Sequence, residues 1–596
     1  MRSTFKVITA GLLATIGCGL LGFHAPPPSS SGLTREKLVL QADSFFTAVK
    51  SLQRAANQNA GKQVLQQRFR SARLAYKRIE WATEYFDPLT SRSVNGPPVP
   101  ETELSGQVIQ PEGLQVIEGL LFPTVNTPFG KKDKALLSKL IVNAEEYRNY
   151  FAHTTLQDWQ IMDALKLEVF RIETLGLNDF DDPLAHQCFK ESATALSSVR
   201  EVALGYANEE HDSLNDIFVK AVRYLSHPIA FNKFNRAWFV TNYANPLTTA
   251  LTRLHQALKL PDIRYNRLLN QNATTLFDIN AFNRNAYINA PEDSVTTQKV
   301  LLGKKLFFDP QLSGTMTRSC GSCHQPDKAF TDGLAKNLDV TGKKTIFRNT
   351  PTLINAALQP AQFYDLRAPS LEDQVVDVLS NKDEMHGDIQ LSTQKLWRDS
   401  AYRMLFAEAF PNAKRIAIDT AEIKNALASY IRSLTALNSR FDAYMRGDKT
   451  QLSPAEVNGF NLFMGKARCS TCHYMPLFNS TLPPRYMQME AEVIGVPKSP
   501  KSKIIDPDPG LFAIQSHSFN RYAFKVTTVR NADKTAPYMH NGIYKTLDEV
   551  IDFYNDGGGV GMGLKVPNQT LAADKLGLSP KEKRELVEFI KALNSQ

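Results

Sequence analysis

Cysteine is scarce in this chain: six residues among 596. That excludes a disulfide framework as the main source of stability for a protein of this size. Basic residues outnumber acidic ones by 69 to 60, a net charge of +9, yet no dense Lys/Arg run occurs of the kind that grips nucleic acid. Nucleic acid is therefore not an expected partner, and the basic excess suits either an acidic redox partner or a plain solvated surface. Beyond residue 21 no segment is long and apolar enough to cross a bilayer. The apolar run Val7 to Leu21 follows Arg2 and Lys6 and is short for a span, so residues 1–25 read as an export signal. Cys18 after Thr15-Ile16-Gly17 is an imperfect lipoprotein cleavage box, which allows a lipid anchor; ordinary cleavage near Ala25 is the alternative. The expected compartment is the periplasm.

What is present is mostly helical in pattern. Periodic apolar stretches over 35–57, 64–86, 134–151 and 231–258 suggest an up-and-down bundle across 33–260. Within it Val64, Phe69, Leu74, Tyr76, Ile79 and Trp81 recur at helical intervals, interleaved with Arg and Lys. The Asn-rich, less periodic stretch 262–297 reads as a linker. Cys188 stands alone in a helical stretch, where a buried apolar role is the default.

Four of the six cysteines form two C-x-x-C-H motifs, Cys320-Gly321-Ser322-Cys323-His324 and Cys469-Ser470-Thr471-Cys472-His473. By composition one such motif arises by chance on the order of a thousandth of a time. Two thiols at this spacing can form thioethers to the vinyl groups of haem, with the adjacent histidine on the iron. His324 and His473 are thus candidate proximal ligands of two covalent haem c groups. A four-cysteine zinc site would leave both histidines unexplained. A thioredoxin-like pair would need a βαβ pattern, and none surrounds either motif.

Each motif follows a short amphipathic helix with the same signature, Gly303-x-x-Leu306-Phe307 and Gly459-x-x-Leu462-Phe463. The capping box Ser453-Pro454-Ala455-Glu456 opens the second of these helices, and Ser579-Pro580-Lys581-Glu582 opens a last one with Leu586, Phe589, Ile590 and Leu593 on one stripe. The expected fold is mainly α: an N-terminal helical bundle followed by two tandem cytochrome c-like haem domains, at 280–445 and 446–596.

The text around the motifs resembles the bacterial di-haem cytochrome c peroxidase family, including its MauG branch. The matching segments are LGKKLFFDPQLSG, CGSCHQPDKAFTDG, FRNTPTLINAA, FYDLRAPSLEDQ, NKDEMHG, KARCSTCH and FKVTTVRNADKTAPYMHNGIYKTLDEVIDFYNDGG. The resemblance implies an oxidoreductase reducing hydrogen peroxide with electrons from a small c-type cytochrome or similar donor. Its catalytic pair falls on Glu384, an acid/base, and Gln374, a positioning amide. A carboxylate can carry a proton from one peroxide oxygen to the other before the O–O bond parts, and a neutral amide can hold the peroxide without competing for that proton. Many relatives carry a histidine that blocks the peroxidatic iron; Val340 stands there, and no histidine occurs between His324 and His386. His386, in a loop beside Gly387, is either a polar loop residue or a swinging ligand.

The sixth ligand of the second haem falls on Tyr554, as in the MauG branch, with Met539 as runner-up. Tyr364 replaces the tryptophan that the family places between the haems as an electron relay. A calcium ion is implied at Asn349 with the carbonyls of Thr535 and Pro537. The resemblance also implies a homodimer as a common state. The rival functions are a MauG-like oxidase of protein side chains and a non-catalytic electron carrier. One further likeness is weaker: Gly113-Leu114-Gln115-Val116-Ile117-Glu118 is similar to the G-x-H-x-x-E signature of imelysin-like domains, with Gln115 in place of histidine. That leaves Glu118 either as a metal ligand or as an ordinary helix-packing residue.

Overall fold

The computed structural model describes residues 30–102, 107–122, 129–207, 211–413 and 417–596. The export-signal reading of residues 1–25 and Cys18 lies outside them. Among the described residues sheet is limited to two antiparallel pairs of two-residue strands, Glu101–Thr102 with Val108–Ile109 and Ala491–Glu492 with Phe524–Lys525. No described helix is long and apolar enough to cross a membrane.

The first half is the expected bundle. Helix Ser30–Asn57 buries Leu38, Ala42, Phe45, Val49 and Leu52, one residue per turn on one stripe, against helices Lys62–Lys77 and Lys131–His153. Two long periodic stretches turn out to be broken. The first stops at Lys77 and resumes at Glu80, a break that brings Glu80 to 2.7 Å from the Lys77 ammonium. The second runs as a π turn over Val240–Ala244 before helix Asn245–Ala257. Pro246 has no N–H for the carbonyl of Asn242, so the bonding pattern slips there.

Buried charge was unexpected. Arg73, Lys77, Glu80, Arg171, Asp181 and Glu191 are all at most 5% exposed. Arg73 grips Glu191 with two bonds of 2.6 Å, and Arg171 grips Asp181 with two of 2.8 Å. Lys77 reaches Asp181 at 2.5 Å, and Asn95 donates to the same carboxylate at 3.0 Å. Burial pushes the Asp181 carboxyl up, but Arg171 and Lys77 outweigh it and hold the group well below the ordinary range.

The second half repeats one unit twice. Helix Thr297–Phe307 leads to a 3-10 turn at Cys320–Ser322 and is crossed by helix Thr420–Ser433; helix Pro454–Met464 leads to Cys469–Thr471 and is crossed by Pro580–Ala592. Both predicted capping boxes form. The shared glycines explain the crossings. A Cβ on Gly303 would lie 1.9 Å from the Ala426 carbonyl oxygen, and one on Gly459 2.0 Å from that of Glu585. Gly459→Ala therefore forces the helices apart, at a cost of about 1–3 kcal/mol or more. Thermal unfolding of the haem-loaded protein checks this: Tm falls, and an unchanged Tm refutes the close crossing.

The core divides unevenly. The first unit has its own cluster around Leu302, Leu306, Phe307 and Leu427. The second unit shares one continuous cluster with the bundle, through Phe460, Phe463, Phe478 and Phe589, which Phe441 from the end of the first unit joins. The stretch 262–297, expected as a linker, is packed into that cluster by Leu268, Leu269, Leu276 and Phe277.

Candidate functional site

Each C-x-x-C-H loop begins in a single 3-10 turn, Cys320–Ser322 and Cys469–Thr471, whose amides fold the following histidine back so that its N–H donates to the first cysteine's carbonyl, at 3.0 and 2.9 Å. His324 Nδ1 lies 3.0 Å from the Phe330 carbonyl and His473 Nδ1 3.2 Å from that of Phe478. A carbonyl can only accept, so Nδ1 carries the proton and Nε2 keeps its lone pair for a metal. Burial lowers both histidines, His473 to about 4, so both are neutral at physiological pH. Burial likewise raises the thiols: Cys320 and Cys469 to about 12 and Cys323 to about 11. The five described cysteines are all free of disulfides.

Neither the four cysteines together nor the two thiols and imidazole of one loop converge within the 4.8 Å that a single ion would need. That leaves the four-cysteine zinc reading without the convergence it needs, while two free thiols beside a neutral imidazole are the donors a covalent haem requires. The residues present therefore suit haem c at both loops.

Around the first loop the family segments assemble. The LSG and EMHG segments join where Gly314 N donates to the Met385 carbonyl at 3.0 Å and Ser313 Oγ to the same oxygen at 3.1 Å. Helix Leu371–Ser380 carries the partly buried Gln374 and is fixed to helix Thr420–Ser433 by the buried pair Arg432–Glu372 at 2.7 Å. Asn381, at the C-cap of that helix, donates Nδ2 to Glu384 Oε1 at 2.8 Å. Burial raises the Glu384 carboxyl; Arg367 and Arg318 oppose it, while Asp383 and Asp377 add to it. Burial raises the Cys323 thiol first, and the nearby Glu384 carboxylate adds a smaller contribution. Val340, where a blocking histidine would stand, donates its amide to the Asp383 carbonyl at 2.8 Å, beside Glu384. His386 is exposed in a left-handed turn, φ 48°, which agrees with a polar loop residue.

Tyr364 stands at the seam between the two units. Its carbonyl accepts from Lys525 N at 2.7 Å and its hydroxyl lies 3.5 Å from Asn349 Oδ1. Arg348 closes the same seam, with Asp365 at 2.6 Å on one side and Asp508 at 2.6 Å on the other. Asn349 N donates to the His540 carbonyl at 2.7 Å, in the loop that holds Thr535 and the cis peptide Ala536-Pro537.

Near the second loop, helix Leu547–Asn555 carries Tyr554, which packs edge-on against Phe553 at 5.5 Å. Burial raises its phenol first, and Cys472 and Cys469 add to the rise. Met539 sits in a left-handed turn, φ 72°, between Tyr538 and Tyr544. Sequence reasoning missed Asn178, whose Nδ2 donates to the Ser470 carbonyl inside the second motif at 3.0 Å and ties the bundle to it. Nothing in the spacing of residues 172–180 marked that contact.

Comparison with known proteins identifies the family. The family model described as di-haem cytochrome c peroxidase matches residues 297–450. Cytochrome-c peroxidase IdrP2 of Denitromonas iodatirespirans is 32% identical over 316 residues, covering 50% of this chain and 82% of that protein. The methylamine utilization protein MauG of Methylorubrum extorquens is 33% identical over 302 residues, covering 51% and 80%. A solved MauG-like protein associated with microbial copper homeostasis is 30% identical, covers 52% and 94%, and superposes with a TM-score of 0.47. With two haem-attachment loops in repeated units and relatives matched over four-fifths of their length, this chain belongs to the di-haem cytochrome c peroxidase family.

Proposed function

We propose that the chain reduces hydrogen peroxide to water at the haem held by Cys320, Cys323 and His324, with electrons arriving through the haem held by Cys469, Cys472 and His473. The observation that carries this reading is a partly buried, upshifted carboxyl, Glu384, held by Asn381 at 2.8 Å and close enough to the first loop to act on the Cys323 thiol. When bound, the two haems supply redox-active irons, and the first supplies a coordination face for peroxide. The chain's own residues do the rest. Gln374 holds the peroxide by its amide; Glu384 takes the proton from one oxygen and returns it to the other. Two electrons and two further protons complete the conversion of H2O2 to two waters. Tyr364 is the electron relay across the seam, and Val340 leaves the first iron free of a blocking histidine.

The donor is a small c-type cytochrome or similar carrier. Asn349, with the carbonyls of Thr535 and Pro537, would hold calcium, which oxygen ligands suit, with water completing the shell. Export to the periplasm, a lipid at Cys18, a homodimer and imelysin-like ancestry of the bundle are parts of the same reading. The test is steady-state peroxide consumption by the haem-loaded protein with reduced cytochrome c. Turnover beside a high-spin ferric spectrum is expected, and two fully ligated irons inert to peroxide would leave an electron carrier instead.

A second reading, a MauG-like oxidase of protein side chains, is favoured by Tyr554 at the second cysteine pair. Phenolate ligation stabilises ferric iron. Tyr554→Phe should therefore raise the reduction potential of the second centre and alter its absorption; a redox titration giving the wild-type potential would remove Tyr554 from the coordination sphere.

A further inference from the structure

Outside both C-x-x-C-H loops, three buried residues of the bundle converge. One ligand atom each from Asp179, Asp182 and Cys188 lies within 4.8 Å of the others. Asp179 is 6% exposed and Asp182 0%. One oxygen of each carboxylate is accounted for: Asp179 Oδ2 pairs with His186 Nδ1 at 2.5 Å, and Asp182 Oδ2 accepts from the Gln187 amide. The other oxygen of each, Oδ1, is buried with no hydrogen-bond partner. Buried carboxylate oxygens left unpaired are costly; without a metal the Cys188 thiol leans on Asp179 and burial favours a protonated Asp182, and a cation bound among the three would replace those protons.

The charged neighbours do not supply it. Arg73 is committed to Glu191 through two bonds of 2.6 Å. Arg236 acts on Cys188 and Asp179 electrostatically, but its Nε and Nη1 donate to the carbonyls of Leu177, Phe231 and Phe234, and its buried Nη2 bonds neither carboxylate. His186 is already paired with Oδ2 of Asp179. Glu191, Asp179 and Glu118 all add negative charge at Asp182.

We propose that Asp179, Asp182 and Cys188 form a binding site for a borderline-soft divalent cation of the zinc class. The donor set makes the choice: carboxylates alone would suit calcium or magnesium, and a thiolate turns preference toward zinc-like ions. His186 fixes the Asp179 carboxylate from behind, as outer partners of metal ligands do. Binding breaks the Cys188 S–H bond, forms a sulfur–metal bond and releases that proton, with the one held by Asp182, to solvent, with no change in oxidation state. The site abuts the second haem-attachment loop. Asn178 donates to Ser470, and Phe180 packs edge-on against Tyr474 at 5.7 Å.

The inference stands apart from the peroxidase reading and is tested separately. Full-length haem-loaded protein is stripped with chelator, dialysed against micromolar zinc and assayed for zinc per chain. One tightly held zinc is expected, with affinity lowered by at least about tenfold in Asp182→Asn and in Cys188→Ser. Zinc-edge X-ray absorption of the wild-type protein needs no variant and is blind to haem iron. It should show a single sulfur at about 2.3 Å with oxygens at about 2.0–2.2 Å. No retained zinc, a first shell without sulfur, or unchanged affinity in both variants overturns the proposal.

Discussion

Glu384→Gln lowers peroxide turnover by about 10²–10⁴-fold, the range that a positioned proton-transfer group contributes, and leaves haem content and unfolding temperature at wild-type values. Glutamine keeps the size of the side chain and can still pair with Asn381, which now donates to Oε1 at 2.8 Å. What it loses is the exchangeable proton. The pH profile gives a second reading of the same variant. Burial, reinforced by Asp383 and Asp377, holds the Glu384 carboxyl above the ordinary glutamate value despite Arg367 and Arg318. Proton abstraction requires the ionised form, so wild-type kcat/KM falls as the pH drops through that raised value. The acid limb should sit at higher pH than a free glutamate at about 4.3 would give. In Glu384→Gln that limb disappears together with the rate. Equal rates, or an unmoved limb in the variant, would show that another group moves the proton.

Asp181→Asn should destabilise the fold by about 3–5 kcal/mol, the usual cost of removing one partner from a buried ion network. Its carboxylate receives Arg171, Lys77 and Asn95. Neutralising it leaves two buried cations sharing mainly Glu80. Chemical denaturation followed by far-UV circular dichroism measures the change, and a shift below about 1 kcal/mol, the scale of a surface pair, would mean that water reaches the network. The pH dependence has a fixed sign. Because the folded Asp181 carboxyl is depressed, its contribution is fully present above the ordinary aspartate value of about 3.9 and is lost as the pH falls below it. The variant should lack that part of the wild-type acid destabilisation.

Sequence made some of this visible and hid the rest for identifiable reasons. The two C-x-x-C-H loops, the twin glycine helices and both capping boxes are local patterns, in which residue type and spacing nearly dictate geometry. Glu384 was legible only through the flanking FYDLRAPSLEDQ and NKDEMHG text, since a lone acid is ordinarily a surface residue. The bundle's ion network was not legible. Arg73 and Lys77 look like the wet face of an amphipathic helix until their partners arrive from residues 181 and 191, more than a hundred positions away. The stretch 262–297 reads as a linker because its buried residues follow no helical or strand period, although Leu268, Leu276 and Phe277 are almost fully covered. Cys188 shows the same limit: its burial was expected, but the company of two aspartates was not.

The shared interior of the bundle and the second haem unit bears on how this protein can be cut. Asn461 holds the amides of Arg236 and Ala237 at 2.8 and 3.2 Å, Asn245 holds the Met445 carbonyl at 2.9 Å, and Asn178 holds Ser470. A truncation beginning near residue 280, which the family match alone would suggest as the enzyme, strips the greasy lining from one module while sparing the other. The N-terminal half is in that sense a built-in scaffold for the second haem unit, and a shortened version would need a substitute wall before it could stay in solution.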